Sequence, residues 1–104
     1  MTTEDVIDAM LDYAPMRSTI YEAGEDLAAS EGIAADALAM LIAYLRNSGI
    51  LPDRDVVLSA VDMVVRKLVD SQPNIGPLAK QIIVRSAVVA AGYIYDLIAS
   101  QRSV

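Results

Sequence analysis

Pro77-Leu-Ala-Lys-Gln-Ile-Ile-Val-Arg-Ser-Ala-Val-Val-Ala-Ala-Gly-Tyr-Ile-Tyr-Asp-Leu-Ile-Ala-Ser-Gln101 is the stretch on which the fold of this chain turns. After its first residue no proline interrupts it. At 100° per residue its polar positions Gln81, Arg85 and Asp96 fall on one strip with Gly92, on the order of a sixth of the circumference. Almost all the rest is aliphatic or tyrosine. A surface helix needs an apolar stripe of only about 100°. The spacing therefore predicts a helix that is mostly buried: core to its own chain and seam to a second copy. Ile83, Ala87, Ala90, Ala91, Ile94, Leu97 and Ile98 are the expected oligomer interface, with the alanines letting two backbones come close.

The composition leads to the same expectation. The apolar fraction is 55%, and exchanging the five tyrosines for the five glycines leaves that figure unchanged. Ordinary soluble domains have about 45–50% on the latter count. A chain of 104 residues makes one domain, and a small domain has proportionally more surface to cover with polar groups. The excess points to a homodimer.

Upstream, helical spacing recurs and no segment alternates with period two for long enough to make a half-buried strand. Val6, Ile7, Met10, Leu11 and Ala14 share one face of a first helix, Thr3 to Ala14, which Thr2 or Thr3 can cap. Pro15 closes it. A second helix, from Pro15 or Thr19 to Ser30, carries Met16, Ile20, Ala23 and Leu27. Gly32-Ile33 and Gly49-Ile50 look like one device used twice: a left-handed glycine after a helix, with isoleucine packing back on the last turn. Between them Leu38, Leu41, Ile42 and Leu45 form the main face of a third helix, Ala34 to Ser48, with Met40 and Tyr44 flanking it. Pro52 opens a fourth that reaches Ser71, with Val57, Val61, Val64 and Leu68 as its ridge. The expectation is an all-α fold: one compact helical bundle spanning residues 1–104, with five helices, or four if the first two merge.

The net charge of −6 is unevenly placed. Up to Glu31 eight acids stand against Arg17 alone; from Gly32 onward six acids meet seven bases. Asp8, Asp12, Glu22, Glu25 and Asp26 are the expected docking residues for a basic protein partner, and the same acids solvate the surface. The remaining cations are interleaved with acids, and Asp53, Asp55, Asp62 and Asp70 would repel phosphate, so no nucleic acid is expected.

Cysteine and histidine are absent, which excludes disulfides, thiolate chemistry and the commonest general base and zinc ligand. Serine hydrolysis has no base and no glycine-rich loop cradles a phosphate. Glu22 and Glu25, at i, i+3, face one way and could share Mg²⁺ with an acid from another helix such as Asp62. On those two residues the chain resembles the all-α nucleoside-triphosphate pyrophosphohydrolases, whose acidic helices bind magnesium. That resemblance would imply a magnesium-dependent enzyme acting on nucleotides. It departs from the family after Gly32, where no Glu-x-x-Asp occurs and Asp62 is followed at i+4 by Arg66.

The reading of the residues is a non-catalytic interaction or regulatory module, with no catalytic residue, metal or cofactor. The alternatives are the magnesium enzyme and a structural protomer of a phage or secretion assembly. The acidic start, Met1-Thr2-Thr3-Glu4-Asp5, lacks the basic character of a targeting sequence. The longest uncharged apolar run, Ser86 to Tyr95, is short of the ~20 residues of a membrane span. Cytoplasmic residence without membrane insertion is the expectation.

Overall fold

The computed structural model describes residues 2–12 and 28–102, and its described residues form four helices and no strand. These are α1 (Thr3–Leu11), α2 (Ala28–Asn47), α3 (Arg54–Asp70) and α4 (Pro77–Arg102). The fold class is all-α. The second helix expected upstream of Ser30 lies mainly outside the described residues.

The start of α1 follows directly from its sequence. The Asp5 amide donates to Thr2 Oγ1 at 3.2 Å and the Thr2 amide donates back to the Asp5 carboxylate at 2.9 Å. This capping box satisfies two donors that a helix start leaves open. Those amide and hydroxyl contacts with Thr2, the backbone bond foremost, hold the Asp5 carboxyl below its usual range. Val6 and Met10 are fully buried, while Ile7 is half-buried and Leu11 lies at the edge.

Gly32 does not end a helix. α2 runs straight through it, and no described glycine has a positive φ. A glycine inside a helix costs only about 1 kcal/mol relative to alanine. Fully burying Ile33, Ala37, Met40 and Leu41 on the continuous helix outweighs that cost. The third expected helix therefore begins upstream of Gly32 rather than after it, while the junction at Pro15 lies outside the described residues. The buried face of α2 is also turned from the expected one: Ile33, Ala37, Met40, Leu41, Tyr44 and Leu45 are buried, with Leu38 and Ile42 at its border. The cause is that α2 touches α1, α3 and α4 together, so packing from three sides sets its orientation.

The second glycine device fails too. Ile50 is exposed and Gly49 has no left-handed backbone. Polar groups finish α2 instead: Asn47 Nδ2 donates to the Ala43 carbonyl at 2.8 Å, and the Arg102 guanidinium donates to the Ser48 carbonyl. A cation at a helix C-terminus is favoured by the macrodipole.

α3 behaves as its spacing demands, burying Val57, Val61, Val64 and Leu68 together with Ala60, Val65 and Val69. It starts after Asp53, which caps in extended geometry without a side-chain hydrogen bond. Two cross-links fix α4 to it. Arg54 Nε donates to Asp96 Oδ1 at 3.0 Å, and Lys80 Nζ to Asp70 Oδ1 at 3.2 Å across the connector. The Tyr95 hydroxyl donates to the carbonyl of Pro52, just ahead of α3.

Candidate functional site

The surface that stands out lies on α4. Only Val84, Ala87, Ala91, Gly92 and Ile98 of this helix are buried, against α2 and α3. The expectation of a mostly buried helix is not met within the chain. Leu78, Ile82, Val89, Tyr93 and Leu97 are each more than half exposed, Tyr93 at 75%. With Ser86 they follow steps of four, four, three, four and four residues, which places them along one side of a helix.

The helix is rotated relative to the simplest wheel argument. Gly92, expected on the solvent strip, is buried beneath the Arg54 side chain, because the missing Cβ leaves room for the guanidinium to cross the helix. Arg54 then reaches Asp96 one turn on. Pairing with α3 engages Gly92 and Asp96 of the polar strip, while Gln81 and Arg85 stay exposed beside the apolar stripe. Arg54 is the first residue of α3, two after Pro52, which lies ahead of the helix instead of opening it, and the periodicity there says nothing about a partner on α4.

The expected interface residues separate into groups. Ala87, Ala91 and Ile98 are buried within the chain; Ile83, Ala90 and Ile94 are half-buried; Leu97 is exposed. The half-buried set borders the exposed stripe on one side, and Gln81, Arg85 and Asp96 border it on the other. Between α3 and α4 a groove of about 500 Å³ runs along that polar border, lined by Asp62, Arg66, Gln81, Val84, Arg85, Val88 and Val89.

By length and composition α4 is able to cross a membrane: its most apolar 18-residue window has a mean hydropathy of 1.7, with 28% of it buried inside the fold. The uncharged run Ser86–Tyr95 is by itself too short for a span, but single charges at Arg85 and Asp96 leave the mean of the longer window high.

Asp8 and Asp12 are exposed on and just after α1. Glu22, Glu25 and Asp26 lie outside the described residues. Asp8 borders a depression of about 420 Å³ with Glu4, Ile7, Met63, Arg66, Lys67 and Asp70. Acids of α1 thus face cations of α3, a juxtaposition that spacing along the chain does not reveal. Asp62, the third acid weighed for magnesium, pairs with Arg66 as an i, i+4 neighbour. Among the described residues no three acids group so as to hold a metal ion.

Asp36 is the one charged side chain among the described residues that is fully buried. Burial also raises the Tyr44 hydroxyl above its ordinary range; a hydrogen bond with Ser48 opposes this and the charge of Asp5 adds to it. No protein family, curated protein or solved structure matches this chain.

Proposed function

We propose that the protein is a non-catalytic interaction module: a small acidic helical bundle that associates as a homodimer through α4 and docks a basic protein partner through its acidic N-terminal region. The observation that carries the proposal is the stripe Leu78, Ile82, Val89, Tyr93 and Leu97, apolar and open along the outer side of the helix. Its side chains offer on the order of 500 Å², at the top of the range for the largest patch on a monomer. A symmetric pair would bury about 1,000 Å² in total, the lower bound for a biological interface.

A second copy fits the stripe better than lipid does. Arg85 and Asp96 lie along its border, half a turn or less from apolar positions, and both are exposed. Charge at a helix centre is costly in hydrocarbon and is accommodated at the rim of a protein interface. For the partner, Asp8 and Asp12 supply exposed negative charge, and Glu22, Glu25 and Asp26 extend it in sequence.

Sedimentation equilibrium at micromolar concentration tests the dimer. The expected result is a dimer that Ile82→Asp converts to a folded monomer, since Ile82 is exposed; Ala91→Asp should unfold the chain, since Ala91 is fully buried. A wild-type monomer refutes the assembly. Charge reversal at Asp8 and Asp12 should weaken partner capture more at 50 mM than at 500 mM salt, because exposed charges are screened beyond about 10 Å at 0.1 M. Capture indifferent to salt would refute the acidic docking face.

A further inference from the structure

We infer that the two α4 helices of the dimer cross antiparallel, about a twofold axis passing between Val89 and Ala90, with Arg85 of each chain reaching Asp96 of the partner subunit. This rests on the homodimer proposed above and specifies its geometry.

The first argument is the order of the stripe. An antiparallel twofold pair brings position i opposite a position whose number makes a constant sum with it. About a centre at 89.5, Ile82 lies opposite Leu97, Ser86 opposite Tyr93, and Val89 opposite Ala90. These three pairings suit their residues: two large aliphatics, a small serine under the protruding tyrosine ring, and two short side chains at the axis; Leu78 falls opposite Gln101, beyond the apolar contact. Tyr93 and Leu97 are exposed to 75% and 61%, so they are free to act as knobs.

The second argument is the pair of borders. Gln81, Arg85 and Asp96 lie on one side of the stripe, and Ile83, Ala90 and Ile94 on the other. An antiparallel twofold sets like border against like border, so polar meets polar and apolar meets apolar. A parallel twofold runs along the helices and lays the polar border of one chain on the apolar border of the other. It would bury Arg85 against isoleucine, which is costly for an unpaired charge. In the antiparallel pair Arg85 and the partner's Asp96 are offset by only two residues, roughly 3 Å along the axis. Asp96 is held by Arg54 at 3.0 Å yet stays 59% exposed, so its carboxylate has lone pairs left for a second guanidinium.

Because the chain has no cysteine, single-cysteine variants report the geometry without background. Under mild oxidation Ala90→Cys should form a disulfide with its own copy, being beside the axis. Ile82→Cys and Leu97→Cys should each stay uncoupled alone, as their copies lie roughly 22 Å apart along the axis. Mixed together, the two should form the heterodisulfide. Arg85→Glu should weaken the dimer roughly five- to tenfold, counting two exposed ion pairs. Ready coupling of Leu97→Cys alone, or a dimer in which Ala90→Cys fails to couple, overturns the antiparallel arrangement and leaves the dimer standing. An unchanged dimer affinity for Arg85→Glu overturns the ion pair. A wild-type chain that is monomeric, or that associates only on lipid vesicles, overturns both the geometry and the dimer beneath it.

Discussion

Replacing Gly92 by alanine puts a helical preference against an ion pair, and the structure supplies the quantities that decide between them. A Cβ at this position would lie 2.7 Å from Arg54 Nη2 and 3.5 Å from its Cζ, and 3.9 Å from Leu58 Cδ2. The last is ordinary van der Waals contact, so only the guanidinium must move. It is the tip of a flexible side chain that is 47% exposed, and it can swing into water at the cost of its bond to Asp96. An exposed pair of this kind contributes about 0–1 kcal/mol. Alanine in place of glycine in a helix interior gains about 0.8–1 kcal/mol. The expected outcome is a slightly stabilised protein, by about 0.5 kcal/mol. In urea that moves the midpoint up by roughly 0.3–0.5 M, for a slope near 1 kcal/mol/M. Wild type and variant must be compared at one protein concentration, since association adds to apparent stability. Gly92→Ala made in an Arg54→Ala background has no guanidinium to displace and should gain the full alanine preference, about 1 kcal/mol. Destabilisation by more than about 1 kcal/mol in the wild-type background would refute the reasoning, because it would mean that Arg54 is pinned and its pair with Asp96 worth more than exposed geometry allows.

Tyr95→Phe should cost about 1 kcal/mol, because it removes the hydroxyl that donates to the Pro52 carbonyl at the entry to α3. Burial raises the Tyr95 hydroxyl above its ordinary range, with the charges of Asp53 and Asp96 adding to the effect. The stabilisation tied to its proton is therefore complete below the unfolded tyrosine pKa and is lost as pH rises through the folded one. An alkaline urea series in which wild type and Tyr95→Phe converge would show this, and a constant gap would contradict it. The Asp5 shift has the opposite sign. Its folded pKa is depressed, so its contribution is present above the unfolded carboxylate value and is lost as pH falls through the folded value. Asp5→Asn should be less stable than wild type near neutrality, and the difference should vanish in acid; a gap that persists there would place the role of Asp5 outside the capping box.

Local chemistry wrote the parts of the fold that the sequence displays openly. Thr2 with Asp5 three residues on specifies a capping box, and Val57-Val61-Val64-Leu68 specifies the inner ridge of α3 whatever lies opposite. These depend on neighbours three or four residues apart, which a helix brings together by itself. The failures occurred where a distant segment decided. Gly32 carries the local signature of a stop, yet burial of Ile33 and Ala37 among three other helices keeps α2 continuous.

The candidate surface divides the same way. The sequence by itself determined that α4 has too much apolar surface for an ordinary solvent-facing helix, and that two charges and a glycine share one of its strips. Which side of α4 faces outward was decided only by the tertiary structure. Gly92 admits Arg54, Arg54 holds Asp96, and Ala87 and Ala91 fit closely against the neighbouring helices. A helical wheel ranks faces by polarity alone, whereas a packed helix orients by shape and by pairs formed across 42 residues of chain. That is why Gly92 alone of that strip is buried, while Gln81, Arg85 and Asp96 stay exposed beside Leu78, Ile82, Val89, Tyr93 and Leu97.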